Sequence, residues 1–159
     1  MKCKHVFWAV LMFSGATAFA ADSAAIFLSK SAGFEHSCIK WDENKESHVG
    51  KVLAALAKDM GVEVLLTKDA SLVNAENLKK YKLVIFYTSA DLTLEGTDKQ
   101  PPMGPNGQAE LLEWIRDGGG FIGYHCASDS FHTPEGGEVT PYVKMIGGEF
   151  YCSFQVGSV

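Results

Sequence analysis

The stretch GGGFIGYHCASDSFH, residues 118–132, places two histidines, a cysteine and an aspartate within fifteen positions. A short apolar run, 121–124, ends at His125, and small residues flank the turn that follows. The pattern is typical of a nucleophile elbow, in which a strand ends in a strained turn that exposes the residue at its apex. His125 occupies that apex, where an imidazole can be a general base, a metal ligand or, less often, a nucleophile.

The reactive side chains around this apex each allow two interpretations. Cys126 lies one position past the apex, so it is either an activated thiolate or, as we favour, a buried and unreactive thiol. Asp129 either caps the helix that follows or orients His125. For His132 and His48 we expect plain exposure to solvent.

A metal site is a further hypothesis. His36, His125 and a carboxylate would suit a divalent ion such as zinc, because imidazole and carboxylate ligands can leave a catalytic ion one open position. The sequence carries no pair of histidines four residues apart on a helix, so the spacing by itself does not require a metal.

The elements that would position these residues alternate along the chain. Apolar runs without polar alternation predict four strands buried on both faces, at 25–29, 62–66, 83–87 and 121–124. Apolar residues at helical spacing predict helices over 49–60, 75–81 and 109–115. The glycines at 118–120 precede a strand, so we interpret them as a helix-to-strand turn with positive φ angles and not as a phosphate-binding loop.

This alternation predicts an α/β fold with a doubly wound parallel sheet. In the flavodoxin-like order 2-1-3-4, strands one, three and four are neighbours, and ligands bind beyond their carboxyl ends. The loops at that edge are 30–36, 88–91 and 125–132, and they carry both His36 and His125.

Residues 1–20 have the features of an export signal: Lys2 and Lys4, an apolar stretch too short to span a bilayer, and a small-residue cleavage site at 18–20. We therefore expect an exported protein, periplasmic or extracellular, with no membrane segment after signal removal. Without the two lysines, 12 basic residues stand against 19 acidic ones, a net charge of about −7 that disfavours nucleic acid. Three cysteines remain, Cys38, Cys126 and Cys152, so at least one thiol stays unpaired.

Four segments in this order resemble the ThuA-like family, named for trehalose utilisation. They are SKSAGFEH at 29–36, GGGFIGYH at 118–125, Ser128-Asp129, and IGGEF at 146–150. The resemblance covers residues 25–150. It implies a flavodoxin-like domain of the class I glutamine amidotransferase superfamily, with a histidine where amidotransferases carry their cysteine.

The resemblance also implies a role in the metabolism of trehalose-like disaccharides and their 3-keto derivatives. His36 and His125 match the motif histidines of the family, and Asp129 and Tyr142 match less distinctive positions. Family members usually continue with further strands after this point, so we expect the domain at 24–159 to be truncated at its C-terminus.

Three functions follow as hypotheses, each with a small carbohydrate or a related molecule as partner. The first is an exported carbohydrate-processing enzyme in which His125, His36 and Asp129 form the catalytic site, with or without a metal. The second is a non-catalytic sugar-binding module that offers Trp41, Trp114 or Tyr124 for stacking, although Trp114 is better explained as core. The third is a hydrolase or amidotransferase-like enzyme that uses Cys126 as its nucleophile.

Overall fold

A computed structural model describes residues 24–151, which form one α/β domain. The strands are β1 (Ala24–Leu28), β2 (Glu63–Thr67), β3 (Leu83–Phe86) and β4 (Gly120–Gly123). The helices are α1 (His48–Asp59), α2 (Ala75–Leu78), α3 (Gly107–Arg116) and α4 (Pro141–Ile146), and short 3₁₀ turns span Ala70–Leu72 and His125–Asp129. The predicted signal peptide, 1–20, and the residues after 151, including Cys152, lie outside this described part.

The sheet has the order β2-β1-β3-β4, and every neighbouring pair is parallel. The α/β class and the flavodoxin-like order predicted from the sequence are therefore confirmed. The second predicted helix is the clearest difference in extent, because α2 ends at Leu78 and not at Tyr81. The chain leaves the helix there because the backbone N–H of Lys82 already donates to Ala24 O at 2.8 Å, which commits the chain to the sheet.

Helices lie on both faces of the sheet. One face, with α2, α3 and α4, buries a core centred on Ile26, Phe86, Leu111 and Tyr142. The other face, with α1, buries a smaller cluster around Phe27, Ile39 and Tyr87. The prediction that all strands are buried on both faces is wrong at the sheet edges, because Leu65 of β2 and Ile122 of β4 are 39% and 46% exposed.

The glycines at 118–120, where α3 ends and β4 begins, are needed for two different physical reasons. Gly118 adopts φ +103°, the left-handed conformation predicted for the end of the helix. A Cβ on Gly119 would lie 2.3 Å from the ring of Trp114, so the bare backbone makes room for that indole. A Cβ on Gly120 would lie 3.0 Å from Lys82 O, where β4 begins to pair with β3. Positive φ thus explains only the first glycine, and close packing explains the other two.

Buried lysines join the loops that follow β1, β2 and β3. Lys68, which is 1% exposed, forms ion pairs with Glu35 and with Asp98, the latter at 2.8 Å between Nζ and Oδ2. Lys30 is also buried, and its Nζ donates to Gln100 O at 2.9 Å. The loop that carries His36 is thereby held by an ion pair to the loop after β2 and by a hydrogen bond to the loop after β3.

Within residues 24–151, no helix has the length and apolar character needed to cross a bilayer.

Replacing Lys68 by Met should destabilise the domain by about 3 kcal/mol, because Glu35 and Asp98 lose a buried partner without regaining full hydration. Lys51→Met is the matched control, since Lys51 also pairs with two carboxylates, Asp42 and Glu46, but is 54% exposed. We expect no measurable change for the control. Urea unfolding followed by tryptophan fluorescence compares the two, and equal losses in both variants would contradict a special role for the buried pair.

Candidate functional site

The carboxyl ends of β1, β3 and β4 meet at one edge of the sheet, as the strand order predicts. Two isolated parallel bridges, Ser31 with Ser89 and Ala90 with Ser130, extend the pairing past the strand ends. The loops after these strands are therefore held side by side instead of diverging. This arrangement places the loop of His36 next to the loop of His125.

The two histidines lie against each other. Their ring centroids are 4.6 Å apart and their planes are nearly perpendicular, at 82°. Tyr87 stacks on His125 at 5.4 Å, and Phe34 packs edge-on against His36 at 4.9 Å. Aromatic packing on both sides thus limits the orientations that the two imidazoles can take, whereas their chemical roles remain predictions.

His125 has the backbone of an elbow apex. Its φ is +51°, a left-handed conformation that costs a residue with a Cβ about 1–2 kcal/mol. Strand pairing ends immediately before it, where Tyr124 N–H donates to Phe86 O at 2.8 Å. On the far side, the hydroxyl of Tyr142 donates to Ala127 O at 3.0 Å and so holds the 3₁₀ turn in place. Tyr142, which matched the family only weakly, therefore supports the elbow from the core.

The residues two positions before and after His125 must be small. A Cβ on Gly123 would lie 2.7 Å from Ile146 Cδ1 and 3.2 Å from Ala127 Cβ. The 3₁₀ turn can lie this close to the end of β4 only because the strand ends in glycine. The elbow predicted from the sequence therefore has a packing basis as well as a strained backbone.

Cys126 lies beside the histidine pair. One ligand atom each from His36, His125 and Cys126 lie within 4.8 Å of one another. Burial raises the pKa of the Cys126 thiol to about 11, so the side chain is a protonated thiol at neutral pH when no cation is bound. Within residues 24–151, Cys126 and Cys38 are both free cysteines, and the Cys38 sulfur is hydrogen-bonded to the Tyr87 hydroxyl at 3.2 Å.

Asp129 has a different partner from either of the two predicted. It neither orients His125 nor caps a following helix, because it ends the 3₁₀ turn and its Oδ1 lies 2.7 Å from His132 Nε2. His132 is exposed as expected, yet it is not free in solvent, since its Nδ1 also lies 3.4 Å from Glu149 Oε2. A hydrogen bond from the Thr133 backbone N–H is the main cause that lowers the pKa of Glu149.

The histidines open into a cavity of about 410 Å³. Besides His36, His125, Cys126 and Asp129, its walls are Phe34, Ser89, Ser128 and Phe150. Sequence reasoning did not identify these last four as site residues. Three of them lie in the segments quoted for the family resemblance, and Ser89 follows β3 in a loop that the strand order assigns to this edge.

The aromatic residues proposed for stacking lie elsewhere. Trp41 packs near Lys68, whose Nζ is 5.3 Å from the ring centroid, and Trp114 packs on the core against Gly119. Tyr124 is 57% exposed but faces an apolar groove along α1 and not the histidine cavity. None of these three side chains lines the histidine cavity, whose aromatic walls are instead Phe34 and Phe150.

Comparison with known proteins agrees with this fold. A family model described as "ThuA: Trehalose utilisation" matches residues 24–157. The crystal structure of a ThuA-like protein from Bacteroides uniformis ATCC 8492 superimposes with a TM-score of 0.56 at 21% identity. That similarity covers 83% of this chain and 46% of the other, so this chain spans less than half of that structure. No curated protein matches the sequence.

The strained elbow predicts an unusual order of stability between two truncations. His125→Gly should be more stable than His125→Ala by about 1 kcal/mol, because glycine adopts positive φ without steric cost. At His36, which is not among the positive-φ residues, the order should reverse by about 0.5–1 kcal/mol, since glycine has more freedom to lose on folding. Thermal and urea unfolding of the four variants measure both differences, and the same order at both positions would refute the strained apex.

The raised pKa of Cys126 predicts slow alkylation. At pH 8 a thiol with a pKa of about 11 is ionised in about one molecule in a thousand, against about a quarter for an ordinary cysteine. Iodoacetamide should therefore modify Cys126 about a hundredfold more slowly than a free peptide cysteine, and the rate should rise with pH until about 11. Peptide mapping follows the reaction. A rate that already levels off near pH 7 would restore Cys126 as a candidate nucleophile.

Proposed function

Because this chain belongs to the ThuA trehalose utilisation family, we propose that its histidine cavity binds a small carbohydrate and transforms it by proton transfer. The substrates we propose are trehalose-like disaccharides or their 3-keto derivatives. The observation that carries the proposal is the convergence of His36 and His125, 89 positions apart in the sequence, on one cavity.

The walls of the cavity suit a sugar. Its volume of about 410 Å³ lies within the range of small-molecule sites, roughly 300–1,000 Å³. Phe34 and Phe150 are largely exposed and offer apolar faces against which a sugar ring can pack. Ser128 and Asp129 supply a hydroxyl and a carboxylate that can hydrogen-bond to sugar hydroxyls, whereas the Ser89 hydroxyl already donates to Phe34 O at 2.8 Å.

Two imidazoles at this spacing can divide acid and base roles. One ring in its neutral form takes a proton from a sugar hydroxyl or from a carbon next to a ketone. The other, protonated, gives a proton to the oxygen on which negative charge develops. Imidazole suits both roles because it gains and loses its proton near neutral pH. Asp129 lines the same cavity. One of its carboxylate oxygens is hydrogen-bonded to His132, so a role in this chemistry would need a second contact.

Two alternatives make different predictions. The exposed faces of Phe34 and Phe150 would equally serve a module that binds sugars without transforming them. A Cys126 nucleophile, as in amidotransferase-like enzymes, is disfavoured because burial keeps its thiol protonated.

Export remains part of the proposal, supported by Lys2, Lys4 and the apolar stretch after them.

His125→Gln should lower kcat/KM for a trehalose-like or 3-keto disaccharide at least about a hundredfold, the usual contribution of a general acid or base. Affinity measured by calorimetry and the melting temperature should change little, because glutamine keeps the size and polarity of the side chain. His48→Gln, at the exposed start of α1, is the matched control and should behave as the parent protein.

Unchanged turnover in His125→Gln would reject the acid–base proposal. Binding of disaccharides without any product from the parent protein would instead favour the non-catalytic module. Loss of activity on alkylation of Cys126, with His125→Gln still active, would favour the cysteine enzyme.

A further inference from the structure

We propose that His36, His125 and Cys126 form a three-ligand site for a zinc-type divalent ion, with the fourth coordination position open to the cavity. The site is the one described above, so this inference rests on the proposed function for its biological purpose. It does not rest on that function for its geometry. It does change the assignment of the acid and base, because an imidazole nitrogen that binds an ion cannot also take up a proton. With the ion bound, a water at the open position would carry out the proton transfer instead. This site differs from the metal site expected from the sequence, because a thiolate replaces the carboxylate as third ligand.

The spacing of the ligand atoms is close to that of a tetrahedral site. Zinc bonds of about 2.1 Å to nitrogen and 2.3 Å to sulfur place neighbouring ligands roughly 3.4–3.8 Å apart. The ligand atoms of the three side chains already lie within 4.8 Å of one another without an ion. Side-chain movements of about 1 Å would therefore bring the three atoms to the spacing of a tetrahedral site.

The donor set selects the kind of ion. Two imidazole nitrogens and one thiolate sulfur suit zinc and similar ions, whereas magnesium and calcium take oxygen ligands. The nearest carboxylate of the cavity, Asp129, is occupied by His132 at 2.7 Å and is not part of the cluster. As the ion binds, the Cys126 thiol releases its proton to solvent and the sulfur donates its lone pair to the metal.

Neighbouring residues hold all three ligands in place. His125 and Cys126 are adjacent on the 3₁₀ turn that the Tyr142 hydroxyl fixes through Ala127 O. His36 packs between Phe34 and His125, and its neighbour Glu35 is paired with the buried Lys68. Packing and backbone contacts of this kind limit the orientations that the three ligands can take.

Three protein ligands plus an open position is the arrangement of catalytic zinc sites. An ion bound here would polarise the carbonyl of a keto-sugar or lower the pKa of a bound water. The open position would face the cavity that we assign to the carbohydrate, next to Ser128 and Phe150.

Titration of the purified, reduced and metal-free full chain with Co²⁺ and then Zn²⁺ tests the site. We expect one equivalent of Co²⁺ to produce a thiolate-to-cobalt charge-transfer band together with the intense visible bands of tetrahedral cobalt, and Zn²⁺ to remove both. Cys126→Ser should abolish the charge-transfer band. It should also weaken zinc affinity at least about tenfold, because loss of a supporting partner alone costs 10–100-fold. His36→Gln should weaken affinity to a similar degree.

Two matched controls lie close to the site. Cys38→Ser removes a thiol that contacts Tyr87 but is outside the cluster, and His132→Gln removes a histidine held by carboxylates. Both should keep the cobalt spectrum. Zinc X-ray absorption of the parent protein, which requires no variant, should show one sulfur and two imidazoles.

A spectrum that survives Cys126→Ser, that disappears in Cys38→Ser, or that shows only oxygen and nitrogen ligands would overturn the inference. The two proposals also fail separately. Metal binding through Cys126 without any interaction with carbohydrates would reject the proposed function and keep the metal site. Carbohydrate turnover by metal-free protein that also shows no Cys126-dependent cobalt spectrum would reject the metal site alone.

Discussion

The parallel pairing of β3 with β1 on one side and β4 on the other is the constraint on which the site depends. Parallel strands end at the same edge of a sheet, so their following loops start side by side. The bridges Ser31–Ser89 and Ala90–Ser130 carry this register into the loops themselves. This pairing brings the loops of His36 and His125 side by side. A change that shifted the register of β3 would therefore separate the two rings even with every site residue intact.

The second constraint is steric, and it depends on two small residues, Gly123 and Ala127, and on the large side chain of Tyr142. Gly123 and Ala127 allow the 3₁₀ turn to fold back close to the end of β4, and Tyr142 supports that turn through a hydrogen bond to Ala127 O. The hydroxyl of Tyr142 is buried, so losing this bond would leave a polar group unpaired in the core. Packing and hydrogen bonding together thus stabilise the positive φ of His125, which the local sequence alone would not favour. A strained apex of this kind is typical of functional sites.

The sequence was sufficient to predict the α/β class and the elbow at His125, because those depend on periodicity and on local turn chemistry. The strand order was predicted by analogy with flavodoxin-like sheets, since periodicity does not reveal which strands are neighbours. It was not sufficient for Asp129, whose partner is decided by a side-chain rotamer at the end of a 3₁₀ turn. Exposure of Ile122 and Leu65 also escaped prediction, because an apolar run is the same in a central strand and in an edge strand. Phe34 and Phe150 were missed as cavity walls because aromatic residues in sequence give no sign of which surface they border.

Lys68 shows most clearly what periodicity cannot reveal. A lysine after a strand is normally expected to reach solvent, yet this one is buried between Glu35 and Asp98. Burying the charge is costly, and the cost is offset only if both carboxylates remain in place. This ion pair also positions His36. Because Glu35 directly precedes His36, the contact between Glu35 and Lys68 holds the backbone from which His36 extends. One imidazole of the pair is thus held by electrostatics and the other by a strained, tightly packed turn, and the cavity forms where these two supports meet.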